Sequence, residues 1–283
     1  MNTYITTSRN GLPALQIETE DFEAEILFQG AHFTRFKSKS LNRKLFWLSQ
    51  GESFEGGRSI RGGVPIVFPW FGPHADEENF PRHGFARNLG WQLVGEPRQE
   101  NLETVVEFLL LDSPVTVELF PFKFRALLTM RLSANGVGMN LSIRNTDEKP
   151  FQCEALFHPY FAVNSLETVQ VSGLDGKQYF DKVLNTTGNT QRGSVSFPEN
   201  IDRVYSETEG PFVISDEGKP SVRISQTGIQ QTVVWNPGGG TTKVSAGNTP
   251  SFVCVEPGCV FEGRLNLEPG QEDVLGVQFT LLE

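Results

Sequence analysis

The sequence has few cysteines, and their spacing excludes two common uses. Three of the 283 residues are cysteine, namely Cys153, Cys254 and Cys259. An odd number of thiols does not make a disulfide framework, and a Cys-x4-Cys pair with no histidine nearby is not a zinc-binding pattern. We therefore expect reduced, mostly buried thiols, no bound metal and a cytoplasmic location.

Positive charge and long apolar runs are also scarce. The chain has 24 Lys and Arg against 34 Asp and Glu, a formal net charge of −10. Binding to nucleic acid requires a basic surface, so we predict no nucleic-acid partner. No apolar run approaches the about 20 residues of a membrane helix, and the N-terminal segment lacks the apolar core of a signal peptide. We therefore expect no membrane partner either. Because the chain is acidic as a whole, an anionic ligand must bind at a local cluster of basic residues.

Helical periodicity is missing, and a period of two residues takes its place. Alternation of apolar and polar residues predicts strands, and it occurs near residues 22–26, 128–132, 137–143, 166–171, 221–225, 231–235, 252–256 and 274–281. The Asn135-Gly136 pair predicts a tight hairpin between two of these strands. With 17 Pro and 28 Gly spread throughout and no linker or repeat, we predict a single all-β antiparallel domain over residues 1–283.

The segment from 61 to 91 contains basic residues in apolar surroundings. It reads RGGVPIVFPWFGPHADEENFPRHGFARNLGW. Buried charges are costly unless they are paired, and forked guanidinium groups suit an anionic ligand. We predict that Arg61 and Arg87 bind a phosphate, with Arg82 as a third contact. The alternative is pairing with the acidic residues at 76–78, above all for Arg82. The aromatic residues Trp70, Phe71 and Trp91 are candidates for the pocket lining or for the core.

Two ionisable residues precede prolines in segments that resemble strands. His158 precedes Pro159 and Glu256 precedes Pro257. Because proline removes a backbone donor, we expect each strand to end there, where ligand-binding residues are often placed. The alternatives are a core histidine bonded to a carbonyl and a strand-end glutamate pointing to water.

Two further residues are candidates for binding. His83 precedes Gly84, which allows the backbone to approach a ligand closely; a loop histidine bonded to a carbonyl is the alternative. Asp202 can accept hydrogen bonds from two neighbouring hydroxyls, or it can pair with Arg203 or form a turn. His32, which alternates with apolar residues, is predicted to be structural.

Together, these segments resemble the glucose-6-phosphate 1-epimerase family, the hexose-phosphate mutarotases. The resemblance runs along nearly the whole chain. In chain order, it is carried by QGAHFTRF (29–36), LFWLS (45–49), RGGVPIVFPWFG (61–72), HGFARNLGW (83–91), ALFHPYFAV (155–163), VSGLDG (171–176), DKV (181–183), IDRVY (201–205), VVWNPG (233–238) and FVCVE (252–256).

The resemblance implies a large antiparallel β-sandwich of the galactose mutarotase-like type. It also implies that Glu256 is the general base and His158 the general acid of ring opening, while His83 and Asp202 bind the sugar. The implied substrate is a small sugar phosphate, and the chemistry needs no cofactor. Many members of the family have threonine where this chain has Pro159.

Two other functions fit the same residues less well. A sugar-binding protein without catalysis would be expected to lack the acid or the base, and both are present. A glycoside hydrolase would need two flanking carboxylates, for which Glu256 and Asp202 are the candidates. The sequence leaves open which hexose phosphate is preferred and the oligomeric state, for which a monomer is compatible.

Overall fold

The structure is a computed structural model that describes residues 2–7, 11–51, 53–238 and 252–283. The strands in the first half of the chain are β1 (Asn2–Thr7), β2 (Pro13–Glu18), β3 (Phe22–Leu27), β4 (His32–Ser38), β5 (Arg43–Lys44), β6 (Ile66–Val67), β7 (Gln92–Leu93), β8 (Arg98–Glu100), β9 (Glu103–Leu111), β10 (Phe124–Ser133) and β11 (Gly136–Asn145). Those of the second half are β12 (Phe151–Cys153), β13 (Ala155–Phe157), β14 (Tyr160–Ala162), β15 (Gln170–Ser172), β16 (Gln178–Asp181), β17 (Thr186–Thr190), β18 (Val195–Ser196), β19 (Ile201–Ser206), β20 (Phe212–Asp216), β21 (Lys219–Thr227), β22 (Gln231–Asn236), β23 (Phe252–Cys259), β24 (Leu265–Leu267) and β25 (Glu272–Leu281).

Helices are short in the part of the chain that the structure describes. An α-helix, α1 (Pro114–Leu119), begins at Ser113, whose side chain accepts a hydrogen bond from the Thr116 N–H. Short 3₁₀ turns cover Ala86–Asn88 and Phe261–Gly263. None of these helices has the length and apolar character needed to span a bilayer.

Two large antiparallel sheets dominate the fold. The larger has the order β18-β15-β20-β21-β25-β11-β10-β9-β7, with β8 also paired to β9. The second has the order β17-β16-β19-β22-β23-β13-β6, with β14 also paired to β23. A further sheet contains β1 to β5 in chain order, and β12 pairs with β24. The all-β antiparallel architecture predicted from the period-two pattern is confirmed.

The second large sheet has an apolar face on each side. Val234 and Val255 lie in the main core together with Leu141 and Val277 of the larger sheet. Val233, the neighbour of Val234, belongs to a separate apolar cluster. Because successive side chains of a strand point to opposite faces, this second cluster marks the face of β22 and β23 that points away from the main core. The candidate site lies on that face.

The strand predictions hold in most places and fail in two. The β10–β11 hairpin pairs Ser133 with Gly136, as the Asn135-Gly136 signal predicts. The predicted strand at 166–171 is wrong except at its end, because β15 begins at Gln170. The predicted strand end at Glu256 is also wrong, because β23 continues through Pro257 to Cys259.

A tight backbone crossing holds the loop that carries His83. The carbonyl oxygen of Phe68 accepts hydrogen bonds from the N–H groups of Phe85 and Ala86 at 3.0 and 3.2 Å. Gly84 packs against the same carbonyl with a φ of +70°, and a side chain there would overlap the Phe68 oxygen. Glycine is required at this position for space as well as for conformation.

We predict that Gly84→Ala destabilises the fold by about 2 kcal/mol more than Gly95→Ala. Gly95 has a similar φ of +68° but open space around it, so its substitution introduces only the cost of a left-handed residue, about 1–2 kcal/mol. The overlap with Phe68 adds the cost of overpacking, about 1–3 kcal/mol. Urea unfolding of both variants measures the difference, and equal losses of stability would contradict this role of the crossing.

Candidate active site

A shared strand register places His158 opposite Glu256. Leu156 of β13 pairs with Gly258 of β23, and Tyr160 of β14 pairs with Cys254 of the same strand. When this register is continued between the two pairs, His158 lies directly across from Glu256. The ladder is interrupted there, since β13 ends at 157 and β14 begins at 160. Pro159 therefore stands at a break in one strand, and the partner strand continues past Pro257.

The imidazole and the carboxylate meet in a buried position. His158 Nε2 lies 3.4 Å from Glu256 Oε1, and the two residues are 7% and 1% exposed. His158 Nδ1 lies near its own main chain, but neither it nor Glu256 Oε2 has a hydrogen-bond partner of good geometry in the described part of the chain. The alternatives of a carbonyl-bonded histidine and a solvated glutamate therefore do not describe this pair.

Burial shifts the two pKa values in opposite directions. Desolvation, and then the positive charges of Arg87, Lys182 and Arg61, lower the pKa of His158 to about 3. Desolvation and the nearby Asp202 raise the pKa of Glu256 well above its ordinary value, against the opposing effect of Lys182 and Arg87. Both shifts favour a proton on the carboxyl group over a proton on the imidazole.

Two glycines let the Arg61 segment pack against the sheet. A Cβ at Gly62 would lie 2.6 Å from the Leu48 Cα, and one at Gly63 would overlap the Phe33 carbonyl. The buried His32 bonds the Gly62 carbonyl through Nε2 at 2.7 Å. Its pKa is lowered to about 4 by burial, so the ring is neutral and donates this bond. His32 is structural, as predicted, and it holds the backbone next to Arg61.

A donor faces each ring nitrogen of His83. The Gly72 N–H donates to His83 Nδ1 at 3.2 Å, and the His83 N–H donates to the Gly72 carbonyl at 2.6 Å. Arg82 Nε donates to His83 Nε2 at 3.3 Å. Desolvation, with the charge of Arg87, lowers the pKa of His83 far below its usual value, and a neutral imidazole has one acceptor. The two donors therefore compete for a single acceptor nitrogen of the ring.

Four cationic side chains and two carboxylates share one cavity. Its volume is about 530 Å³, and all seven site residues predicted from the sequence line it, namely Arg61, Arg82, His83, Arg87, His158, Asp202 and Glu256. Within the described ranges, no ion pair joins Arg82 to an acidic residue at 76–78. The excess of positive charge contrasts with the net charge of −10 of the chain.

Arg87 is held by a single strong contact and keeps donors available. Its Nη2 donates to the Arg82 carbonyl at 2.6 Å, while its Nε is buried with no partner among the described residues. Burial lowers the pKa of Arg87 to about 10, so it remains charged at neutral pH. An unpaired buried guanidinium donor is costly, and an anion in the cavity would relieve this cost.

Sequence reasoning missed Lys182. This residue follows β16, and its Nζ lies 3.0 Å from Asp202 Oδ2 and 4.6 Å from the centre of the Phe71 ring. Asp202 therefore pairs with Lys182 rather than with Arg203, which pairs with Asp181 at 3.3 Å. The predicted lining by Phe71 is found, whereas Trp70 and Trp91 are core residues. In the sequence, a lysine at a hairpin that lines a cavity cannot be distinguished from a lysine that points to water.

Tyr160 and Trp235 were also missed, although both line the cavity. The Tyr160 ring stacks on His158 with centroids 4.9 Å apart and planes 11° from parallel. Trp235 makes an edge contact with the same imidazole at 5.8 Å. Both positions follow from the register, since Trp235 and Tyr160 each pair with Cys254. These rings fix the orientation of His158 from two sides.

Comparison with known proteins agrees with this geometry. A family model described as aldose 1-epimerase matches residues 13–280. The chain is 35% identical over 255 residues to a candidate glucose-6-phosphate 1-epimerase of Escherichia coli strain K12, and the alignment covers 87% of this chain and 82% of that protein.

Solved structures show the same fold. The crystal structure of a candidate mutarotase from Salmonella typhimurium superposes with a TM-score of 0.86 at 29% identity, covering 98% of this chain and 92% of that one. A galactose mutarotase-like protein from Lactobacillus casei has a TM-score of 0.74 at 18% identity, with coverage of 95% and 100%. The galactose mutarotase-like fold predicted from the sequence is confirmed.

We predict that His32→Gln reduces the loss of stability on acidification. The unfolded chain protonates this residue near pH 6.5, whereas the folded chain does so near pH 4, so the native His32 lowers the free energy of unfolding as the pH falls between these values. Between pH 7 and 5, the native chain should lose about 2 kcal/mol more than the variant. Urea unfolding at both pH values tests this, and identical pH slopes would show that His32 is not held neutral.

Proposed function

Because the chain belongs to the aldose 1-epimerase family, whose chemistry is epimerisation at the sugar C1, we propose that it interconverts the α and β anomers of a hexose 6-phosphate. Glucose 6-phosphate is the proposed preferred substrate. The observation that carries this proposal is the His158–Glu256 pair, 3.4 Å apart, in a cavity that also contains Arg61, Arg87 and Lys182. Its volume of about 530 Å³ lies within the range of small-ligand sites.

The proposed reaction is acid–base ring opening and closure. Glu256 removes the proton of the C1 hydroxyl, the bond between C1 and the ring oxygen breaks, and the ring oxygen takes its electron pair and a proton from His158. Rotation about C1–C2 presents the other face of the aldehyde, and closure returns both protons. The reaction breaks and re-forms one C–O bond within the sugar, with proton transfers but no redox change, so it requires no cofactor.

Both protonation states of the pair occur in this cycle. The cyclic sugar needs an ionised Glu256 and a protonated His158, whereas the open-chain aldehyde faces a protonated Glu256 and a neutral His158. The free site favours the second state. Arg87 and Arg61 both act against a charged His158, so a bound phosphate dianion would offset them and favour protonation of His158, while Lys182 continues to favour the ionised form of Glu256. The substrate would thereby help to charge its own acid catalyst.

The remaining residues suit sugar recognition. His83 offers a neutral imidazole, positioned by the Gly72 N–H at Nδ1. Asp202 offers acceptor oxygens, held in place by Lys182. Arg61 and Arg87 are the proposed phosphate contacts, and the more exposed Arg82 is the third. A glycoside hydrolase is less well supported, because the group next to Glu256 is an imidazole and Asp202 is engaged by Lys182.

The experiment that tests the activity is exchange between the anomers of glucose 6-phosphate, followed by NMR with and without the protein. Glucose is measured in parallel. Faster exchange for the phosphate alone supports both the chemistry and the phosphate contacts. Faster exchange for both sugars retains the chemistry and removes the phosphate preference. Anomer-selective line broadening without exchange would indicate a sugar-binding protein instead.

For the acid–base pair, we predict that Glu256→Gln and His158→Asn each lower kcat by about 10²–10⁴-fold, the usual contribution of one positioned proton transfer. Glu148→Gln, the same chemical change at an exposed position, is the matched control and should leave kcat unchanged. Circular dichroism checks that the variants are folded. Full activity in Glu256→Gln would remove this residue from the mechanism.

For the phosphate contacts, we predict that Arg61→Ala and Arg87→Ala each raise KM for glucose 6-phosphate by about 10–150-fold, because a hydrogen bond to a charged group contributes about 1.5–3 kcal/mol. The kinetics with glucose should change much less. Arg82→Ala should have a smaller effect, since its guanidinium is exposed. An unchanged KM in the Arg61→Ala, Arg87→Ala double variant would contradict phosphate binding at this position.

A further inference from the structure

Cys254 lies beside the proposed acid–base pair and has no part in it. One donor atom each from His158, Cys254 and Glu256 can be chosen so that all three lie within 4.8 Å of one another. The three side chains are 7%, 0% and 1% exposed. Cys254 and Glu256 are two residues apart on β23, so both point to the face on which His158 lies.

Two observations indicate that these donors can accept a ligand. His158 Nδ1 and Glu256 Oε2 are buried without hydrogen-bond partners in the described residues. The cavity that His158 and Glu256 line provides access from solvent, and Cys254 packs against Tyr160 and Trp235, which line the same cavity. Such a set of buried, unpaired nitrogen and oxygen donors next to a thiol differs from a chance surface cluster.

We propose that His158, Cys254 and Glu256 bind a zinc ion, which competes with the sugar and reversibly blocks the reaction. Nitrogen, thiolate and carboxylate donors are the ligands that zinc prefers, and three protein ligands with a water in the fourth position form a common open site. Zinc bonds of about 2.0–2.3 Å place tetrahedral ligands about 3.3–3.8 Å apart. The present spacing therefore needs a contraction of about 1 Å.

The surrounding charges indicate that zinc binds here as a reversible inhibitor and is not a permanent component of the protein. Arg87 and Lys182 favour the ionised form of Glu256, and the same positive charges oppose a cation. Asp202 acts in the other direction. Binding must also displace the protons of the Cys254 thiol and of the Glu256 carboxyl group into solvent. The metal occupies the lone pairs that would otherwise face the C1 hydroxyl and the ring oxygen, so inhibition should be competitive with sugar.

Cobalt binding tests the site without any assay of activity. Co²⁺ added to the native chain should give a thiolate-to-cobalt charge-transfer band in the near ultraviolet, with one ion per chain, and Zn²⁺ should displace it. Cys254→Ala should abolish the band. Cys153→Ala and Cys259→Ala, which remove the other two buried thiols, should retain it.

A second variant covers the case in which Cys254→Ala does not fold. Glu256→Gln keeps the thiol and the side-chain shape, and it should weaken cobalt binding by about tenfold or more. No band in the native chain, or a band that persists in Cys254→Ala, would overturn the proposal.

The inhibition is tested on anomer exchange and rests on the proposed function. Zn²⁺ should raise the apparent KM of the native chain, a chelator should restore it, and Cys254→Ala should require about tenfold more Zn²⁺ for the same effect. A chain that exchanges anomers but binds no cobalt would contradict the metal site alone. A chain that binds cobalt through Cys254 but exchanges no sugar would contradict the proposed function alone.

Discussion

The pairing of β13 and β14 with β23 is interrupted where His158 faces Glu256, and the cavity is arranged around this interruption. On its other edge, the same segment continues the register of β13 with β6. There the His158 N–H bonds to the Pro65 carbonyl at 3.0 Å, and the Tyr160 N–H bonds to the Gly63 carbonyl at 2.9 Å. The segment that carries Arg61 is thereby attached to the segment that carries His158. The acid–base pair on one edge is thus coupled to the cationic wall of the cavity on the other.

Burial of Glu256 without a strong partner is costly, and the fold accepts this cost at one position. A buried carboxylate is usually paired or protonated. Burial raises the pKa of Glu256 and lowers the pKa of His158, so both shifts favour the uncharged form of each group. Unsatisfied polar groups of this kind concentrate at functional sites, where a ligand supplies the missing interactions. Both proposals, sugar epimerisation and zinc inhibition, rest on this feature.

The sequence predicted the architecture and the seven cavity residues better than it predicted their connections. Basic residues among glycines and aromatic residues, and ionisable residues before prolines, are unusual combinations, so they were visible without a structure. The continuation of β23 through Pro257 was not, because it depends on a break in the neighbouring strand. Lys182 and Tyr160 were missed because their positions depend on pairing between distant segments. The catalytic and binding roles of the seven residues stay predictions.

On the proposed function, the electrostatic arrangement of the cavity would favour a sugar phosphate over a free sugar. Four cationic side chains lie near two carboxylates in a chain of net charge −10, and burial together with the charges of Arg87, Lys182 and Arg61 lowers the pKa of His158. A neutral sugar leaves these charges unchanged. A phosphate dianion would offset the charges of Arg87 and Arg61, both of which act on His158, and so favour protonation of the imidazole. Phosphate recognition and protonation of the acid are then two consequences of the same charges, so the specificity of the site should extend to kcat as well as KM.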